Sequence, residues 1–160
     1  MIPILVAHGT RKPGGVAMVA ELADRVGAAL GTPVRTAFVD VLGPTPSDVL
    51  RAVTDEPAVL VPAFLARGYH VRVDIPAAVT AGGHPDVTVT EALGPSPQLV
   101  RVLTDRLLAS GWRSGDAVVF AAAGTSDRGA QRGVDRGGLA GGLGLADLGE
   151  RRGHAGLPVR

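Results

Sequence analysis

Cysteine is absent from the 160 residues of this chain. Its absence excludes disulfide bonds, thiolate metal sites and catalytic cysteines, and it is typical of proteins in a reducing compartment. Aromatic residues are also scarce, at 3% of the sequence, whereas hydrophobic residues make up 46%. A domain of this length can still bury a sizeable core, but that core must be built from valine, leucine, isoleucine and alanine.

An excess of charge of one sign and long apolar runs are lacking too. The formal net charge is +1, which gives no argument for binding nucleic acid or a membrane surface. No apolar run approaches the roughly 20 residues that a membrane-spanning helix needs. The N-terminus has no basic region before its first apolar segment, so we predict no signal peptide and a cytoplasmic location.

Residues 128–160 have a composition unlike the rest of the chain. They hold 10 of the 23 glycines, six arginines and three acidic residues, with few large apolar side chains. Such a segment cannot bury enough apolar surface to offset its chain entropy. We therefore predict that this Gly/Arg-rich tail is disordered or poorly packed.

A faint internal repeat precedes the tail. The segment LVAHGT at 5–10 resembles FAAAGT at 120–125, with Ala123 in the place of His8. The apolar run 117–122 predicts a further buried strand there. We interpret residues 114–127 as the first strand and turn of an incomplete second repeat, which leaves residues 1–113 as the main domain.

Short apolar runs alternate with helical patterns over residues 1–113, which is typical of βαβ units and a parallel sheet. We predict an α/β fold, a flavodoxin-like parallel four-stranded sheet flanked by helices with strand order 2-1-3-4. The third helix starts either at the Asp74-Ile75-Pro76 segment, with Asp74 as its N-cap, or nearer His70. The four predicted strands are Ile2–Ala7, Val34–Val39, Ala58–Val61 and Asp86–Thr90. The four predicted helices are Val16–Leu30, a second that begins at Pro44–Pro46, a third that ends at Gly82-Gly83 and a fourth from Pro97 to Gly111.

Three polar side chains follow three successive strands. His8 follows the first strand, Asp40 the second, and His70 lies shortly after the third. Ligands bind at this carboxyl edge in open α/β sheets. Two imidazoles and a carboxylate suit a borderline divalent metal such as Fe²⁺, Co²⁺ or Zn²⁺, and a neutral imidazole also accepts a proton near neutral pH. A structural alternative stays open for each of them, since histidine and aspartate also cap turns.

Basic residues flank the two histidines. Arg11 and Lys12 follow His8, whereas Arg67 and Arg72 lie on either side of His70. They are either solvated charges at loop tips or a rim that binds an anionic substrate. The other two histidines are given no role in the site, because His84 lies in a predicted surface loop and His154 lies in the tail.

These segments resemble the sirohydrochlorin chelatase and cobaltochelatase family, the class II tetrapyrrole chelatases. The resemblance covers about residues 2–127. The stretch from the proline at 62 to the DIP triplet, at its distance from the His-Gly-Thr element, is the specific part. The matching segments are ILVAHGTR at 4–11, PAFLARGYH at 62–70, DIP at 74–76 and LGP at 93–95.

The resemblance implies a chelatase-like fold and a lyase that inserts Fe²⁺ or Co²⁺ into sirohydrochlorin on the way to siroheme or cobalamin. It implies that the metal is a substrate and that no organic cofactor is needed. The family's two catalytic histidines correspond to His8 and His70, and Asp40 stands where the family commonly has a glutamate metal ligand. The substrate-binding residues implied beside them are Gly9, Thr10, Arg11, Lys12, Arg67 and Arg72.

Two other functions compete with this one. A phosphoryl-transfer enzyme of the histidine phosphatase kind requires an arginine directly before the His-Gly pair, where this chain has Ala7. A truncated, non-catalytic paralogue that only binds tetrapyrrole or metal is the stronger rival. Short members of the family pair as homodimers, so a homodimer is a further expectation.

Overall fold

The structure is a computed structural model that describes residues 1–113 and 115–119. The chain divides into two compact units, Met1–Gly94 and Pro95–Arg160. The first unit carries all the strands of the described part of the chain and every predicted site residue. Each unit is considered by itself.

A parallel four-stranded sheet forms the centre of the first unit. Its strands are β1 (Ile2–Ala7), β2 (Arg35–Phe38), β3 (Ala58–Pro62) and β4 (Val87–Val89). They lie in the order β2-β1-β3-β4 and every pairing is parallel, which confirms the predicted topology. The register places Val6 beside both Ala37 and Pro62. Proline cannot donate a ladder hydrogen bond, and β3 ends at it as predicted.

Helices connect successive strands. The first helix, α1 (Pro13–Leu30), ends at Gly31, whose φ of 67° gives a left-handed C-cap, and its last residue is the one predicted. The next helix, α2 (Pro46–Arg51), begins with a capping box in which Thr45 and Asp48 exchange side-chain to backbone hydrogen bonds. After β3 comes a π-helical turn, His70–Asp74, which continues directly into α3 (Ile75–Gly82).

Aliphatic side chains fill the core, as the scarcity of aromatic residues requires. Val49, Leu50 and Val53 are buried on α2 and its C-terminal turn, and α2 packs against α3. In contrast, Ala23 is the only buried residue of α1, so this long helix covers the sheet shallowly. The core cluster consists of Ile4, Val6, Ala37, Val49, Leu50, Val53, Ala58, Leu60 and Ile75.

The third connecting helix begins nearer His70, the second of the two alternatives. Asp74 has helical dihedral angles and makes no side-chain cap bond to the backbone. The amide of Ile75 instead donates to the carbonyl of His70, five residues back, which is the bond that defines a π turn. Pro76 directly follows the wide turn, and its missing N–H means that it cannot continue a regular α-helical hydrogen-bond ladder at this point.

The described part of the second unit is dominated by one helix, α4 (Pro97–Ala109). The hydroxyl of Ser96 caps it by accepting a hydrogen bond from the amide of Leu99 at 3.2 Å. No residue of α4 is buried, and Val102 is half exposed. Beyond α4, the indole N–H of Trp112 donates to the carbonyl of Asp116.

Two predicted segments lie mostly outside the described residues. The predicted strand 117–122 is described only at 117–119, where there is no strand and the side chains are exposed. The rest of that strand, most of the incomplete second repeat at 114–127 and the whole tail at 128–160 fall outside the description. Among the helices of the described chain, none is both long and apolar enough to cross a membrane.

Candidate metal and tetrapyrrole site

The carboxyl ends of β1 and β3 lie side by side at the centre of the sheet. Their pairing runs to Val6 and Pro62, and the amide of Ala63 then donates to the carbonyl of Val6 at 2.8 Å. His8 leaves β1 at this edge, and the loop after β3 returns the chain to the same place at His70. This is the switch point at which ligands bind in sheets of this order.

The imidazoles of His8 and His70 are in contact. Their ring centres are 4.6 Å apart and the ring planes are perpendicular, at 87°. The ring of Phe64 lies 6.5 Å from His8 and 6.1 Å from His70, and Tyr69 lies 6.3 Å from His70. His8 is exposed and His70 is half-buried, so both rings are accessible to a ligand from solvent.

Each histidine ring has an oxygen atom close to its Nδ1 atom, which favours one tautomer. Nδ1 of His8 lies 3.3 Å from the carbonyl oxygen of Gly9, and Nδ1 of His70 lies 2.5 Å from Oδ2 of Asp74. A carbonyl and an ionised carboxylate only accept, so Nδ1–H is the donor in both contacts. Each neutral ring therefore keeps its lone pair on Nε2, the atom that can bind a metal or accept a proton.

Gly9 fixes the turn that presents His8. Its φ is 102°, and a Cβ at this position would lie 2.0 Å from the carbonyl oxygen of Asp40. Only glycine allows this close approach. The amide of Asp40 donates to the carbonyl of His8 at 2.9 Å, so the β1–β2 pairing continues through the turn and holds the backbone of His8.

Asp40 uses its carboxylate locally. Its Oδ1 accepts a hydrogen bond from the amide of Val41 at 2.7 Å, and Val41 has a left-handed φ of 68°. No group of three histidine and acidic side chains able to hold a metal forms in residues 1–113 or 115–119. The structure thus brings His8 and His70 together, but Asp40 does not form a group of three metal ligands with them. The role of Asp40 as a ligand stays a prediction.

The predicted basic rim divides into two kinds of side chain. Arg11 and Lys12 are exposed at the start of α1, where the hydroxyl of Thr10 accepts the amide of Lys12 at 3.1 Å. Arg67 is ion-paired with Glu91, which couples the loop after β3 to the segment after β4. Arg72 is exposed on the π turn. Anion binding at Arg67 would therefore compete with an existing partner, whereas Arg11 and Lys12 are presented to solvent.

Large apolar side chains stay exposed on the same loops. Val41 follows Asp40, Leu65 follows Phe64, and Tyr69 and Val73 accompany His70 on its turn. Their exposed fractions range from 43% to 63%. Exposed apolar groups concentrated on the segments that carry two histidines are typical of a binding surface for a large, partly apolar ligand.

Sequence reasoning missed three residues near this pair, Phe64, Tyr69 and Asp74. The His70–Asp74 spacing of four residues is a signal that was available, because such side chains meet on one helix face. His84 is not a simple surface residue either. It is half-buried, and its Nε2 donates to the carbonyl of Val53 at 2.9 Å while its Nδ1 accepts from the amide of Asp86 at 3.1 Å. Both ring nitrogens of His84 therefore make hydrogen bonds that stabilise the fold.

Comparisons with known proteins identify a family, a curated relative and a similar solved structure. The family model CbiX matches residues 3–110. A sirohydrochlorin cobaltochelatase from Methanothermobacter thermautotrophicus is 28% identical over 126 residues, which cover 65% of this chain and 88% of the relative. A crystal structure described as a cobalamin (vitamin B12) biosynthesis CbiX protein from Marinobacter aquaeolei VT8 has a TM-score of 0.59 at 23% identity, covering 68% of this chain and 93% of that one.

The family match spans both histidines, the glycine turn between β1 and α1, and the π turn that carries His70. The similar crystal structure supports the same parallel fold. The order of the strands and the matched sequence thus lead to one conclusion: this chain is a member of the CbiX family, the sirohydrochlorin chelatases.

Proposed function

We propose that this protein inserts a divalent metal ion, Co²⁺ or Fe²⁺, into sirohydrochlorin or a closely related tetrapyrrole. The observation that carries the proposal is the contact between the rings of His8 and His70, 4.6 Å apart at the switch point of the sheet. Membership of the CbiX family and similarity to a cobaltochelatase support it.

The chemistry of metal insertion matches two neutral imidazoles. The ion must lose water ligands, pass to the face of the macrocycle and replace two pyrrole N–H protons. The Nε2 lone pairs of His8 and His70 are suited to hold the ion during its dehydration and then to accept the two protons, one on each ring. Two imidazoles leave most of the coordination sphere open, so the ion is bound weakly enough to be released to the macrocycle.

The surroundings of the pair match a large, flat and polyanionic substrate. Sirohydrochlorin has an apolar ring system and eight carboxylates at its edge. The exposed side chains of Val41, Leu65, Tyr69 and Val73 offer apolar contact to the ring. Arg11 and Lys12 offer positive charge for carboxylates, and Arg67 and Arg72 add to it from the segment after β3. We infer that Gly9 and Thr10 contact the macrocycle from the turn after β1.

The identity of the metal follows less directly from the residues. Imidazole nitrogen binds Fe²⁺, Co²⁺ and Zn²⁺, and no thiolate is present to favour zinc. Similarity to a cobaltochelatase makes Co²⁺ the first ion to test, for cobalamin synthesis, and Fe²⁺ the second, for siroheme synthesis. We also propose that the protein is cytoplasmic and forms a homodimer. Light scattering on the purified protein measures its oligomeric state.

The test compares binding with turnover. Purified protein is mixed with sirohydrochlorin and then with Co²⁺, Fe²⁺ or Zn²⁺, and insertion is followed by the change in absorbance of the macrocycle. We expect turnover above the uncatalysed rate with Co²⁺ or Fe²⁺. Quenched tetrapyrrole fluorescence, showing binding, together with insertion no faster than in buffer would support the non-catalytic carrier instead.

A further inference from the structure

We propose that Asp74 is a positioning residue for His70, holding the imidazole in one orientation and in the tautomer that leaves Nε2 free. The inference rests on the proposed function for its catalytic consequence. Its structural part, the effect of Asp74 on the ring of His70, is measurable without any turnover. This role differs from the N-cap role that the DIP segment offers as one alternative for Asp74.

The contact between the two side chains is short and partly screened from water. Oδ2 of Asp74 lies 2.5 Å from Nδ1 of His70, and the side chains are 35% and 32% exposed. A hydrogen bond of this length between an imidazole and a carboxylate is charge-assisted and stronger than a neutral one. It therefore constrains the ring more than the 3.3 Å contact of His8 with the Gly9 carbonyl does.

The π turn provides the geometry. Both residues belong to the turn His70–Asp74, in which the amide of Ile75 bonds back to the carbonyl of His70. Single π turns inside helices occur frequently at functional sites. Here the turn brings the first and last residues of the segment onto one side, where their side chains meet. Pro76 maintains the wide turn because it supplies no amide hydrogen to the preceding carbonyls.

The carboxylate of Asp74 has no competing structural role in the described chain. It makes no cap bond to the backbone, although it immediately precedes α3. Its hydrogen bond in residues 1–113 is the one to Nδ1 of His70. A carboxylate that gives up a cap position and binds an imidazole instead is acting on that imidazole, as carboxylates do behind many metal-binding histidines.

The bond from Asp74 determines whether the Nε2 lone pair of His70 is available. An ionised carboxylate only accepts, so the bond requires hydrogen on Nδ1 of His70. The Nε2 lone pair is then available to the incoming ion or to a pyrrole proton. Without Asp74 the ring can rotate and exchange its hydrogen between the two nitrogens. A part of the population then presents N–H rather than a lone pair to the ligand.

The first readout of the test is the tautomer of His70. Two-dimensional ¹H–¹⁵N spectra of the imidazole groups are recorded on metal-free protein, at a pH well above the ordinary histidine value of about 6.5. We expect the Nδ1–H form in the wild type and a shift toward the Nε2–H form in Asp74→Ala. Asp74→Asn should keep part of the Nδ1–H form, because an amide oxygen also accepts. Asp105→Ala, at an exposed position of α4, is the matched control.

The second readout is functional. Asp74→Ala should bind Co²⁺ about 10- to 100-fold more weakly, and kcat for insertion should fall by a similar factor with KM for the tetrapyrrole nearly unchanged. Asp74→Asn should lie between Asp74→Ala and the wild type. A purely structural role for Asp74 would not produce this separation of kcat from KM or this order of variants.

The outcomes separate the two proposals. If the wild type shows no insertion but Asp74→Ala still changes the tautomer and weakens Co²⁺ binding, the proposed function fails and the positioning role stands. If Asp74→Ala retains the Nδ1–H form of His70, the positioning role is wrong whatever the activity. A changed tautomer with unchanged Co²⁺ affinity and kcat would equally overturn it.

Discussion

The rings of His8 and His70 lie perpendicular to each other with their centres 4.6 Å apart, although the two residues are far apart in the sequence. Parallel pairing of β1 with β3 places the ends of these strands together, and the π turn extends His70 back over that edge. Nδ1 of each ring lies near an oxygen atom, which favours hydrogen on Nδ1 and a lone pair on Nε2 when the rings are neutral.

Replacing either histidine should remove most of the insertion activity. We expect His8→Ala and His70→Ala each to lower kcat by about 10²- to 10⁴-fold, the usual contribution of a positioned acid–base group. Because the two rings act on the same ion, the double variant should lose little more than either single variant. His154→Ala, outside the region that matches the family, is the control and should retain full activity. Independent, multiplicative losses would argue against a joint site.

Gly9→Ala should destabilise the protein as well as displace His8. The φ of 102° costs a residue with a Cβ roughly 1–3 kcal/mol, and the clash with the Asp40 carbonyl adds to this. Gly14→Ala is the matched control, since a Cβ at this position meets nothing within 4 Å. This substitution should raise the free energy of unfolding by about 0.4–1 kcal/mol. Urea denaturation measures both free energies of unfolding. Equal effects of the two substitutions would contradict the role given to Gly9.

Loss of the exposed charges at the start of α1 should weaken substrate binding. Removing Arg11 and Lys12 together should raise KM for sirohydrochlorin several-fold with a smaller change in kcat, and it should reduce the dependence of KM on salt. Arg25→Ala removes an equally exposed arginine farther along α1, next to Glu21, and should leave KM unchanged. Steady-state kinetics at two salt concentrations give the answer. An unchanged KM in the double variant would show that Arg11 and Lys12 do not bind the substrate.

Stability should fall in acid partly through Asp48. The hydrogen bonds from Thr45, and then the guanidinium of Arg51, lower the pKa of Asp48 below its ordinary value. A carboxyl whose pKa is lower in the folded state stabilises the fold above its unfolded value of about 3.9, and this stabilisation is lost as the pH falls through the folded value.

Thermal unfolding between pH 6 and pH 3 tests this point. Asp48→Asn should flatten part of the acid-side decline in Tm. Thr45→Ala should reproduce much of that effect, because Thr45 contributes the largest part of the pKa shift. A decline in Tm that is identical in the wild type and both variants would show that the capping box has no part in acid stability.

Strand order and the edge that carries the site were predictable from the sequence. Alternating apolar runs and helical patterns indicate parallel strands joined by right-handed crossovers, so only a few strand orders were compatible with the sequence. Pro62 and Gly31 end their elements where predicted, because their backbone restrictions act locally. The positions of His8 and His70 near each other follow from the same topology.

Side-chain partners were not predictable in the same way. The preference of aspartate for N-caps and of proline for first turns predicts a helix start at Asp74-Ile75-Pro76. The observed π turn depends on a bond between backbone groups five residues apart, for which the sequence has no simple periodic signal. Asp40 was equally open to a ligand role or a turn role, and its bond to the Val41 amide depends on the left-handed backbone there. The shallow burial of α1 likewise reflects packing that its apolar spacing does not reveal.

The most direct test of a joint histidine site is the initial rate of Co²⁺ insertion into sirohydrochlorin, measured with the wild type, with the His8→Ala/His70→Ala double variant and with no protein. We expect rapid insertion by the wild type and a rate with the double variant close to that in buffer. A double variant that is folded and inserts Co²⁺ as fast as the wild type would contradict it.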